Sequence, residues 1–136
     1  MGKHLEHHVR TKLQMAILSA PSSGIEWVPN TDVYEGSSSL IIRMEIAGVD
    51  REDIQITISD RHLVVSGRRA NPRRTVGCRF RQMEIDYGRF ERRITLPRTV
   101  DGNNAKANYH NGFLRIELPK TTHVEHATVH VVLGQG

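Results

Sequence analysis

Residues 105–118 read AKANYHNGFLRIEL, and this stretch decides the fold. Ala105, Ala107 and Tyr109 alternate toward Asn111-Gly112, and Leu114, Ile116 and Leu118 alternate away from it. Asn-Gly between two runs of period two marks a hairpin, because a type I′ turn needs positive φ at both central residues. The same period recurs outward from this hairpin. In SLIIRMEIA (39–47), Leu40, Ile42, Met44 and Ile46 share one face while Arg43 and Glu45 share the other. Ile54, Ile56 and Ile58 alternate with Gln55 and Thr57, and Ser59-Asp60-Arg61 turns tightly into HLVVSG (62–67). Phe90, Ile94 and Leu96 share a face, and no helix-period segment of useful length interrupts residues 30–118. Short half-buried strands with turns at roughly 8–12-residue spacing predict an all-β sandwich of antiparallel strands.

Around that core (residues 27–120) lie an N-terminal arm (1–26) and a C-terminal tail (121–136). With 136 residues, one core is affordable and two are not. In the arm, Leu5, Val9, Leu13 and Ile17 recur every fourth residue, a weak amphipathic helix pattern that Pro21-Ser22-Ser23-Gly24 breaks. No apolar run approaches the ~20 residues of a membrane helix, so no membrane span is expected. Met15-Ala16-Ile17-Leu18 is shorter than the roughly 7–15-residue centre of a signal peptide. A single cysteine, Cys78, excludes an internal disulfide framework. These features predict a cytoplasmic protein.

The net charge of +4 is local. Six arginines (68, 69, 73, 74, 79 and 81) fall in one segment without an acid, and the remainder holds 13 basic and 15 acidic residues. A nucleic-acid-binding domain spreads its basic residues over a face and interleaves aromatic platforms, whereas Phe80 is the sole aromatic here. The expectation is a solvated basic loop and no specific nucleic-acid site. Catalytic chemistry is equally thin: there is no phosphate-binding glycine loop, no nucleophile elbow and no metal-ligand spacing in the core. Glu84 and Asp86 read as ion-pairing residues. His4, His7 and His8 in the arm, and His123, His126 and His130 in the tail, read as solvated. Cys78, although flanked by Arg79 and Arg81, reads as a small apolar residue rather than a nucleophile. The expectation is no enzyme and no cofactor. One residue breaks the alternation. Arg92 falls on the Phe90/Ile94/Leu96 face, where it either meets a carboxylate or twists out to solvent, and parity alone leaves both open.

An ordered set of motifs spans residues 27–120. It runs Trp27-x-Pro29, Asp32-Val33-Tyr34-Glu35, Glu45-x-Ala47-Gly48-Val49, Glu52-Asp53-Ile54 and Leu63-x-x-x-Gly67. It continues with Glu84-x-x-Tyr87-Gly88-x-Phe90, Leu96-Pro97, Ala107-x-x-x-Asn111-Gly112-x-Leu114 and Leu118-Pro119-Lys120. This set resembles the α-crystallin domain of the small heat-shock proteins, particularly the bacterial type. The resemblance implies an immunoglobulin-like antiparallel β-sandwich, an ATP-independent holdase that captures unfolding client proteins, and a homo-oligomer built from dimers. A CS-type co-chaperone or scaffold domain shares the sandwich and is the alternative. The long 69–88 connection and the Asn-Gly-x-Leu block favour the small heat-shock protein.

The resemblance also implies sites. Arg92 matches an arginine associated with ion pairing at the dimer interface, which favours the paired role. The 69–88 connection matches one that carries a small strand swapped onto the partner. Here that strand spans Cys78 to Met83, with Arg79, Phe80 and Arg81 reaching the partner's Asp32, Val33, Tyr34 and Glu35. The family's tail carries an Ile-x-Ile/Val motif that plugs a neighbour's groove. Val129-x-Val131 is the nearest match, and Val131-x-Leu133 is the other register. Ile54, Ile56 and Ile58 line one side of the matching groove, and the strand near Asn108 lines the other. Valine for isoleucine removes one CH₂, about 0.8 kcal/mol per buried site. The arm of 26 residues is short for a family whose arms carry much client binding.

Overall fold

The computed structural model describes residues 24–71, 77–121 and 128–134. The amphipathic arm pattern, Arg73, Arg74, His123 and His126 lie outside these residues. Among the described residues nine strands form two sheets: β1 (Thr31–Glu35), β2 (Ser39–Glu45), β3 (Gln55–Ser59), β4 (His62–Arg69), β5 (Gly88–Thr95), β6 (Lys106–His110), β7 (Phe113–Pro119), β8 (Val129–His130) and β9 (Leu133–Gly134). One sheet runs β1-β2-β7-β6-β9 and the other β5-β4-β3-β8. All pairings are antiparallel except β9 on β6.

Period-two patterning sets which side chains face inward. Within the first sheet Ile42 lies opposite Ile116 and Met44 opposite Leu114, and all four are fully buried. Within the second, Ile56 lies opposite Val65 and Ile58 opposite Leu63, also buried. These faces meet as one hydrophobic core with Phe90 and Trp27. Ile41 is the exception to parity: it points to the outer face yet is buried there, with Tyr34 as its cross-strand partner.

The two tight hairpins differ in chemistry. Asn111 (φ 52°) and Gly112 (φ 81°) take the left-handed pair of a type I′ turn, as the dipeptide predicts. Asp60 (φ 46°) and Arg61 (φ 67°) do the same without a glycine, so register at β3–β4 is held by the flanking isoleucine and leucine pairs against local backbone preference.

Gly67 on β4 marks a close approach between elements. A Cβ there would stand 2.4 Å from the Asp53 carbonyl oxygen and 2.7 Å from the Phe90 ring. Phe90 in turn packs on Trp27, with ring centroids 5.1 Å apart, and the indole N–H donates to Gly88 O at 2.9 Å. Neither a backbone carbonyl nor a fully buried ring can withdraw freely. Gly67→Ala is expected to lower stability by about 2–3 kcal/mol through overpacking, read as a lowered urea midpoint at fixed protein concentration.

Candidate assembly site

Each sheet of a sandwich ends in edges whose N–H and C=O groups need partners. β1 is such an edge. Among the described residues only β2 pairs with it, through Asp32–Arg43, Val33–Ile42, Tyr34–Ile41 and Glu35–Leu40. Val33 and Tyr34 are about half exposed, at 48% and 51%. Lys120 Nζ lies 3.5 Å from Glu35, so one of the two acids on this edge already has a cation.

β4 and β5 are joined by residues 70–87, and among those described none is in a strand. The strand expected over Cys78–Met83 is not formed within the single chain. The physical reason is that a strand needs a ladder, and this segment meets no free edge of its own subunit. Cys78, Arg79, Phe80 and Arg81 are exposed. Phe80 (59%), Met83 (68%) and Ile85 (65%) present bare apolar surface. Ile85 was not singled out by the sequence reading. Its signal was the alternation of Met83 and Ile85 with Glu84 and Asp86.

The C-terminal root of this segment is fastened. Arg69 donates from Nε to Asp86 O (2.8 Å) and from Nη1 to Ala47 O (3.0 Å), with its guanidinium 4.0 Å from the Trp27 ring centre. A planar cation that stacks and donates at once suits such a junction. The exposed apolar residues therefore project from a fixed base.

Arg92 sits half-buried. Its Nε is buried without a hydrogen-bond partner, and Nη1 donates to Pro29 O at 3.3 Å. Burial lowers its pKa from the ordinary arginine value. Full solvation by a twisted strand, one of the two readings left open by parity, is not what the structure contains.

The tail lies across the opposite side of the sandwich. Val129 pairs with Ile58 and His130 with Thr57 on β3, and the Val131 N–H donates to Ile56 O at 3.3 Å. Leu133 and Gly134 then run parallel to Ala107 and Asn108 on β6. Val129, Val131 and Leu133 all pack against the core, so the two alternative registers merge into one three-residue contact. The groove occupied is the chain's own, whereas the resemblance implied a neighbour's. Nine residues separate β7 from β8, enough to return the tail to its own subunit. Ile54 is buried immediately before β3 and has no rung opposite the tail.

Tyr109 braces the β6 wall of this groove. Its hydroxyl lies 2.9 Å from Ile46 O and 2.8 Å from Val49 O, within reach of both carbonyls for its single proton. Burial raises its pKa above the ordinary tyrosine value. Among the described residues no group of three or more potential metal ligands occurs, and no helix is long and apolar enough to cross a membrane.

An open β1 edge, a long connection without a strand among its described residues, and a tail laid between two sheet edges define a β-sandwich module with edges available for pairing. Comparison with known proteins places it more closely. The chain belongs to the Hsp20/alpha crystallin family, whose model matches residues 32–132. It is 36% identical over 105 residues to the spore protein SP21 of Stigmatella aurantiaca, covering 77% of this chain and 62% of that relative. It is 35% identical over 97 residues to heat shock protein 16 of Schizosaccharomyces pombe, covering 70% and 68% respectively. Among solved structures it resembles hspA of Xanthomonas axonopodis, with a TM-score of 0.66, 31% identity and coverage of 72% of this chain and 98% of that one. The chain thus spans slightly less than two thirds of SP21. The family match leaves the CS-type alternative without support.

The raised tyrosine pKa has a testable sign. A group whose acid form is favoured by folding contributes stability that is complete below its unfolded pKa, near 10, and that fades as pH rises toward the higher folded value. The stability of the wild-type protein is expected to fall above about pH 10, and Tyr109→Phe should flatten that slope. At pH 7 the same variant should lose roughly 1–2 kcal/mol, because the Val49 carbonyl forfeits its phenol donor. Urea titrations at pH 7 and 10.5 compare the two.

Proposed function

We propose that this protein is an ATP-independent holdase that binds partly unfolded client proteins in the cytoplasm and limits their aggregation. The observation that carries the reading is the Hsp20/alpha crystallin family match over residues 32–132. Unfolding chains expose apolar residues and unpaired backbone, and exposed apolar side chains such as Ile85, outside the segment assigned to the dimer contact, are available to meet them. Such capture is driven by burial of apolar area, about 25 cal/mol per Å², and requires neither a nucleotide nor a cofactor. The protein is not an enzyme in this reading. Its assay is light scattering of a heated client without ATP, in which substoichiometric aggregation control is expected and failure at equimolar protein would refute it.

The working unit is a homodimer made by exchange of residues 69–88. Cys78–Met83 adds to Asp32–Glu35 of the partner, supplying the ladder that neither segment finds in its own chain. Phe80 lands on the exposed Val33/Tyr34 surface, Arg79 and Arg81 approach the acids of the acceptor edge, and the exposed part of the half-buried Arg92 guanidinium faces an acceptor from the second subunit. Phe80→Asp is expected to place an unpaired charge in the contact at several kcal/mol, enough to shift a micromolar dimer to monomer. Equilibrium ultracentrifugation at wild-type affinity would defeat the exchange.

Assembly above the dimer is assigned to the tail. The groove that Val129, Val131 and Leu133 occupy can take a neighbour's tail by the same rungs, which links dimers. Deletion of residues 128–136 should reduce the assembly to dimers by light scattering after size exclusion, while an unchanged mass would exclude the tail as the link.

A further inference from the structure

We propose that Arg51 is the latch of the tail groove, a positioning residue that ties the end of the docked tail to β6. The inference rests on the reading of the β3–β6 groove as the tail's docking site. It adds a residue outside both groove walls and outside the tail itself.

Arg51 opens the short 3-10 turn Arg51–Asp53 that precedes β3. Its backbone is held on both sides. Val49 and Ile54 are buried in the core, Asp53 N donates to Asp50 O at 2.9 Å, and Ile54 N donates to Arg51 O at 3.2 Å. From this base the guanidinium reaches over the groove. Nη2 donates to Tyr109 O on β6 at 3.1 Å, and Nη1 donates to Gly134 O on the tail. Tyr109 is itself fixed through its hydroxyl near Val49 O, two residues before Arg51. The cation is therefore aimed before the tail arrives.

The Leu133 end of the tail needs such help. Its ladder with β6 has two positions, Ala107–Leu133 and Asn108–Gly134, and the other half on β3 also has two. Two-residue ladders are weak by themselves. A hydrogen bond from a cation to a carbonyl is stronger than a neutral one. The guanidinium also offers several donors in one rigid plane, so a single side chain joins two carbonyls on different strands. Lysine carries the charge without that fork. Because the latch grips a main-chain carbonyl, it holds the chain's own tail and a neighbour's equally. It thereby sets how long Leu133 stays docked and how often the β3 and β6 edges stand free.

The test uses the full-length protein and hydrogen–deuterium exchange of the 128–134 segment. Arg51→Ala should speed that exchange about tenfold, as loss of one charge-assisted hydrogen bond implies, with exchange in β3–β4 and the melting temperature unchanged. Arg51→Lys should behave like the alanine variant. Val131→Asp, which places a charge in the middle rung, should remove the protection altogether. If Val131→Asp strips protection while Arg51→Ala exchanges as wild type, the tail docks without a latch and the proposal fails alone. If the wild-type segment exchanges at the rate of an unstructured peptide, the docking reading falls and the latch with it. Wild-type exchange in Arg51→Lys would overturn the two-carbonyl bridge, and faster exchange throughout the domain in Arg51→Ala would make Arg51 a structural residue only.

Discussion

A two-sheet sandwich buries its inner faces well and leaves its sides open, because each sheet ends in strands with one unpaired row of backbone groups. In this protein both sides are crossed by segments that leave one sheet and join the other. On one side, Glu26 and Trp27 donate from their amides to Arg89 O of β5, and the chain then passes to β2 as β1. On the other, the tail pairs first with β3 and then with β6. Interlayer packing holds the sheets face to face, and these two crossings lace their margins. The outer row of β1 has no strand against it among the described residues, and the proposed dimer is built on that row.

The arginines divide by what surrounds them rather than by where they cluster in sequence. Arg69 belongs to the basic run, yet it is structural, stacked on Trp27 and bonded to two carbonyls. Arg79 and Arg81, from the same run, stand in solvent on the unpaired connection. Arg51 lies outside the run and reaches two strands. Arg92 keeps a buried Nε without an acceptor. A guanidinium that cannot shed its charge needs acceptors in such half-buried places, and here backbone carbonyls supply them for Arg51, Arg69 and one nitrogen of Arg92.

The tail has a corresponding economy. The three residues it lays in the groove, Val129, Val131 and Leu133, are β-branched or γ-branched aliphatics of modest size, and none is fully buried. The bonds of Tyr109 and of the 3-10 turn are made within the domain and do not involve the tail.

Strand identity, facing and the Asn111-Gly112 turn were legible in the sequence, since period two and positive φ are local properties that residue types report directly. The apolar faces of β2, β3 and β7 and the family motifs were read the same way. The tail pair Val129 and Val131 and the groove residues Ile54, Ile56, Ile58 and Asn108 came instead from the family resemblance, which set the tail on a neighbour, whereas the structure lays it along the chain's own β3 and β6. Three features required the tertiary structure. Ile41 is buried against parity because its cover comes from the outer surface of the sheet. That Val129, Val131 and Leu133 dock together, rather than in one of two registers, is decided by β3 and β6 lying beside each other across the groove. Arg51 reaches Tyr109 and Gly134 from a turn 58 and 83 residues away in sequence. Alternation records which way a side chain points; what it meets there is decided by the packing of segments that are distant along the chain.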